Sequence, residues 1–131
     1  MIPIGLFAYG EEGGMLYRDA RLTVTCEASG EVVTVIGNLQ NGGAMRGALT
    51  CPTGSALRVC CTDGGECGVP VENRFVNNEW TISQLQILNL DQPNDCPTMP
   101  SPEGTNRVEC RGIVGQEQVV VACEWSHDRP E

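Results

Sequence analysis

The chain contains no lysine: all eight of its basic side chains are arginine, set against seventeen Asp and Glu. Schiff-base catalysis and P-loop phosphate binding both depend on a Lys amine, so neither chemistry is expected. The formal net charge of −9 at pH 7 repels nucleic-acid phosphates and anionic lipid headgroups, which removes both from the expected partners. Histidine is almost as scarce. His127 stands alone in a polar stretch following Trp125. A general base must be held beside the group it deprotonates, and a solvated His in a tail is not held in that way. No catalytic residue is assigned, and an enzyme is not expected.

Aromatic residues are few, with two each of Trp, Tyr and Phe, so core volume has to come from Val, Ile and Leu. No apolar run approaches the roughly 20 residues of a membrane-spanning helix, and no membrane insertion is expected. The N-terminal stretch Met1–Gly10 has no basic region before Arg18 and is interrupted by Pro3 and Gly5. It makes a poor signal peptide, and the expectation is a mature secreted chain.

What the chain does have is cysteine: Cys26, Cys51, Cys60, Cys61, Cys67, Cys96, Cys110 and Cys123. An even number favours disulfides and an oxidising compartment, hence an extracellular or cell-surface location. At about 6% of residues, cysteine is below the density at which bridges replace a core. The bridges then supplement packing by roughly 2–4 kcal/mol each. Four of the eight fall between Cys51 and Cys67, which makes this stretch the hub to which the flanks are tied. Leu57-Arg58-Val59-Cys60-Cys61 reads as a strand. Neighbouring side chains on a strand point to opposite faces, so Cys60 and Cys61 must reach different partners. Zinc is weighed for Cys51, Cys60, Cys61 and Cys67, but the paired Cys-x₂₋₄-Cys knuckles of zinc sites are missing. The acidic loops Asp63–Glu66 and Asp91–Asp95 lack EF-hand spacing. No metal and no cofactor is assigned.

At 131 residues the chain is expected to form one domain, 1–131, with its own core. Gly and Pro together make up about 18% of it, which suits many turns between short strands. Arg21 to Val35 reads as a hairpin about Ala28-Ser29-Gly30-Glu31, with Leu22, Val24 and Cys26 on one face. Arg107 to Cys123 reads as a second hairpin about Gly115-Gln116, weakly resembling the first. The uninterrupted Val119–Ala122 run suggests a strand covered on both faces. Within Asn78–Leu90 the alternation slips at Ser83-Gln84, as two strand pieces around a bulge would. Asp91 to Asn106, with its four prolines, reads as a long surface loop pinned at Cys96. The fold class is therefore all-β: a small antiparallel β-sandwich or barrel, stabilised by disulfides and carrying long loops.

Residues 1–17 are read as an N-terminal edge strand or arm, 18–125 as the core and 126–131 as a polar tail. Pro3 argues against a central position, because proline cannot donate to a ladder. An apolar edge segment can complete a neighbour's sheet, which makes Ile2, Ile4, Leu6 and Phe7 the candidate assembly strand. The functional expectation is a non-enzymatic extracellular structural or assembly protein. It would self-associate by strand exchange, as a filament or surface-layer subunit, with itself or another extracellular protein as partner. The alternative is a secreted monomeric binding module or protease inhibitor that uses the Cys51–Cys67 hub loop, with Arg58 entering a trypsin-like pocket. On a strand, by contrast, Arg58 would face solvent while Leu57 and Val59 pack inward.

Overall fold

The computed structural model describes residues 1–9, 16–40, 44–63, 81–96 and 107–126. Cys67, Glu66, the proline-rich stretch 97–106 and, from His127 on, the rest of the tail lie outside the described residues. So do the side chains of Asp63 and Trp125. Among the described residues there are nine strands and no helix: β1 (Ile2–Tyr9), β2 (Leu16–Cys26), β3 (Val32–Gln40), β4 (Ala44–Leu49), β5 (Ala56–Asp63), β6 (Thr81–Leu88), β7 (Leu90–Asn94), β8 (Arg107–Val114) and β9 (Val120–Ser126). They form two sheets, a four-stranded one in the order β4-β1-β9-β6 and a five-stranded one in the order β3-β2-β5-β8-β7.

The alternation along each strand decides which side chains meet. Leu22 and Val24 of β2, Leu57 and Val59 of β5, Ile4 and Leu6 of β1, Val121 of β9, and Ile82 and Leu85 of β6 belong to one buried cluster between the sheets. Leu6, Leu22, Leu49, Leu57, Ile82 and Leu85 are the largest side chains fully withdrawn from water. Burying each contributes about 1.5–3 kcal/mol relative to exposure. The result is an all-β sandwich of two sheets sharing a core of aliphatic side chains.

Two disulfides cross that core. Cys61 of β5 is bonded to Cys123 of β9, and both are fully buried. Cys26, at the end of β2, is bonded to Cys51, just after β4. The first bond therefore joins one sheet to the other, and the second ties β2 to the chain leaving β4. The third, Cys96–Cys110, fastens the chain after β7 to its neighbour β8. Cys60 is also disulfide-bonded. The adjacent pair thus behaves as the alternation requires, with Cys61 turned into the core and Cys60 on the opposite face.

The structure corrects several expectations. The described start of the segment read as an edge arm, Ile2–Tyr9, is an interior strand: β1 pairs antiparallel with β4 and parallel with β9. Pro3 is tolerated because the β9 ladder begins only at Ile4↔Val121, leaving Pro3 opposite Ala48 on one side alone. Ile2, Ile4 and Leu6 are spent on the molecule's own core. Phe7 points away from that core, folding over Gly5, where an added Cβ would lie 3.0 Å from the ring. The second hairpin is also corrected. Whereas β2 and β3 do pair, β8 and β9 lie in different sheets. Residues 115–119 cross from one sheet to the other, because β8 and β9 both have apolar faces that must reach the shared core. Gly115 fits that crossing closely, since a Cβ there would meet Asn89 O at 2.6 Å.

Part of the stretch read as a loop after Asp91 is strand β7, paired with β8. The phase slip at Ser83 is a register shift between Ile82 and Gln84 against β9, the bulge that the sequence pattern implies. Val119 and Val121 are buried, whereas Val120 and Ala122 are only half-buried, so β9 is covered fully on one face alone.

Candidate functional site

The outward face of the five-stranded sheet is the part of the described surface where polar side chains converge. Its rows follow from strand register. One row runs Val32, Thr25, Arg58, Arg111, and the next runs Thr34, Thr23, Cys60, Glu109. Successive residues on a strand alternate between faces, so the same segments that place Leu22, Val24, Leu57 and Val59 inside must place Thr23, Thr25 and Arg58 outside. Thr23 and Thr34 share a hydroxyl hydrogen bond of 3.2 Å. Such closeness suits an antiparallel pair whose backbone groups point away from each other.

Glu27, in the turn after β2, organises the charges. Arg111 donates to it through Nε at 2.7 Å and Nη2 at 3.3 Å, a two-pronged geometry that suits guanidinium and carboxylate. The Arg58 guanidinium approaches the same carboxylate at 3.8 Å. The hydrogen bond from Arg111, aided by the charges of both arginines, holds the Glu27 carboxyl below its ordinary value, and Glu27 in turn raises Arg111. Arg111 is also fixed through its backbone, whose N–H donates to Asp95. A shallow groove of about 540 Å³ is lined by Thr23, Thr25, Arg58, Asp95, Glu109 and Arg111, among others.

Arg58 has the freest cationic head in this groove, with 68% of its side chain exposed. It rises from the middle of β5, the central strand of its sheet, with Thr25 and Arg111 as lateral neighbours. It is therefore offered by a flat sheet face and not by a protruding loop. Among its described residues the hub is a loop over 51–55 and a strand from Ala56. In that loop Gly54, at φ +89°, donates to Val114 O at 2.8 Å, and Val114 N donates to Ser55 O at 2.9 Å.

Three of the four sulfurs weighed for zinc, Cys51, Cys60 and Cys61, are bound to other sulfurs. The one close grouping of metal-type ligands among the described residues is Asp95, Cys96 and Cys110. Its two sulfurs are joined to each other and offer no thiolate. In the same acidic stretch, Asp91 lines a second open groove with Asn89, Gln116 and Glu117. The described groove residues provide donors and acceptors for recognition, and Cys60 there is oxidised.

Sequence reasoning singled out Arg58, and Asp95 only within an acidic loop weighed for calcium, but assigned no role to Glu27 or Arg111. The polar alternation Arg21, Thr23, Thr25 was a readable signal for an outward face. The Arg111–Glu27 pair, 84 residues apart, carries no local signal.

The fold defines a disulfide-stapled β-sandwich domain with a polar outer face. No protein-family model matches the chain, and no curated protein does. Among solved structures, it is similar to a bacterial adhesin from Mobiluncus mulieris containing intramolecular disulfide, isopeptide and ester bond cross-links. In two crystal forms of that adhesin the TM-scores are 0.47 and 0.48, at 14% identity over 97% of this chain. The chain spans 41% of that protein's length. A likeness at this level carries no inference about activity, ligand or partner.

Proposed function

We propose that this chain is a non-enzymatic extracellular structural domain that associates with itself or with another extracellular protein. One observation carries the reading: Cys61–Cys123 joins one sheet of the sandwich to the other, and Cys26–Cys51 ties the end of β2 to the chain that leaves β4. A domain of this size can already bury a core, so covalent staples through that core are of most use where refolding is not at hand. Disulfides persist in oxidising surroundings and are reduced in the cytosol. Acidity supports a role outside contact with nucleic acid, and no helix among the described residues is long and apolar enough to cross a membrane. The net charge of −9 makes like copies repel until salt screens them, so association should strengthen as ionic strength rises.

Two measurements on one preparation test this. Thiol titration of denatured, unreduced protein should find no reactive thiol, and light scattering across a salt series should show mass increasing with salt. Eight free thiols would overturn the compartment, and a constant monomer mass would overturn self-association.

The exposed Arg58 beside the groove favours a second reading, a monomeric binding module for a partner bearing carboxylates. As a protease inhibitor it should titrate trypsin at micromolar concentration. No inhibition there removes the inhibitor version.

A further inference from the structure

A sandwich of two open sheets has four lateral edges, and exposed edges template pairing with other chains unless something blocks them. Here three edges are blocked. β7 is five residues long and contains Asp91 and Pro93, β6 has a bulge between Ile82 and Gln84, and β4 carries the exposed Arg46. Charges, prolines and bulges are the usual guards of an edge.

Val32–Ile36 of β3 has none of them, the register shift of the β2–β3 pair lying beyond it between Tyr17 and Ala20. Val32-Val33-Thr34-Val35-Ile36 is uncharged, free of proline and in unbroken register with β2 from Arg21↔Ile36 to Thr25↔Val32. Val32 and Ile36 remain 55% and 48% exposed, and among the described residues no strand pairs with the outer side of β3. The hydrogen-bond phase of the hairpin gives the orientation of the backbone. Cys26 N donates to Glu31 O at 2.9 Å, which makes Cys26 and Glu31 a bonded pair in the register of β2 and β3. Bonded and non-bonded pairs alternate along an antiparallel ladder, so Val33 and Val35 bond β2. The N–H and C=O groups of Val32, Thr34 and Ile36 point to the open side.

We propose that the β3 edge is an assembly surface whose partner is β3 of a second copy, a refinement that rests on the self-association reading above. The five residues are self-complementary. An antiparallel pairing with its two-fold axis at Thr34 sets Thr34 against Thr34 and Val32 against Ile36 on both sides of the axis. Each of these pairs falls in the bonded phase and exchanges two backbone hydrogen bonds. The exposed Val32 and Ile36 side chains cover each other, a favourable cross-strand pair of β-branched residues. Because the surface is the same on both subunits, the contact closes as a two-fold dimer, joining two five-stranded sheets edge to edge. The segment carries no charge of its own, so the opposing term is the long-range repulsion between acidic bodies, which salt removes.

Sedimentation velocity on the intact chain, across a concentration series at low and high salt, tests the proposal. The wild type should show a monomer–dimer equilibrium that tightens with salt. Thr34→Pro deletes an N–H on the open side while costing no backbone bond to β2, and Thr34→Lys adds a charge at the axis; both lose the Thr23 hydroxyl contact alike. Each should weaken dimerisation at least about tenfold with unchanged far-UV circular dichroism. Met45→Lys on β4 should leave it unaltered. Dimers that persist in both folded Thr34 variants would overturn the β3 edge and leave self-association through another surface standing. A wild type that is monomeric throughout would overturn both.

Discussion

β1 and β3 are both apolar strands, and they have opposite fates. β1 begins next to a proline and looks like an edge, yet it lies between β4 and β9, with Leu6 fully buried. β3 looks like one arm of an ordinary hairpin, yet it ends its sheet, with Val32 and Ile36 in the open. Alternation records which face of a strand is dry. It says little about what lies to either side, because lateral partners are chosen by backbone hydrogen bonds that every residue except proline can make.

The contrast between interior and edge can be broken most severely at the disulfides. Cys61–Cys123 joins two interior strands and closes 62 residues of sequence, against 14 for Cys96–Cys110 near the β7 edge. Replacing Cys61 and Cys123 together by Ala should cost about 4 kcal/mol from loop closure, and the Cys96/Cys110 pair about 3 kcal/mol. The interior pair also leaves a cavity, which widens the gap. Urea unfolding of both double variants measures it, and equal losses would erase the distinction. A smaller effect should separate the strands themselves. Leu6→Ala in β1 should lose about 2–5 kcal/mol, whereas Ile36→Ala in β3 should stay within about 0.5 kcal/mol as a monomer.

Two carboxylates sharpen the contrast through pH. Glu124, on interior β9, is held above its ordinary value of 4.5 by burial. Its contribution to stability is present below the unfolded value and is lost as pH rises through the raised folded one. Glu124→Gln should therefore melt higher than wild type at pH 7, and the difference should shrink on acidification. Glu27, in the turn leading to the edge strand, is held below 4.5, chiefly by the Arg111 hydrogen bond. Its contribution is present above 4.5 and is lost as pH falls through the lowered value. Glu27→Gln should thus melt slightly lower than wild type at pH 7 and match it in strong acid. Melting curves of both variants across pH check the opposite signs.

How much of this was legible follows from the same distinction. The inward faces of β1, β2 and β5, the bulge in β6 and the divergent directions of Cys60 and Cys61 are period-two information carried by a few consecutive residues. The place of β1 was not, because its parallel ladder joins Ile4 to Val121 and no local pattern links residues so distant. The crossing between β8 and β9 imitates a hairpin in sequence: a turn flanked by apolar residues looks the same whether the second strand pairs with the first or passes beneath it. At the outer face, Arg58 could be placed on a strand, but the carboxylate that steadies its neighbour Arg111 comes from the turn after β2, 84 residues away in sequence.

The parallel ladder between β1 and β9 also determines how the molecule would bear tension. Traction applied at the start of β1 and the end of β9 pulls two neighbouring strands past each other, so their shared hydrogen bonds are loaded together and not unzipped singly. Once that pair yields, the covalent path shortcuts from Cys26 to Cys51 and from Cys61 to Cys123. The segments between those cysteines therefore add nothing to the length paid out. In single-molecule stretching, each released residue gives at most about 3.6 Å. Oxidised protein should thus yield a short tether under load, and reductant should lengthen it markedly.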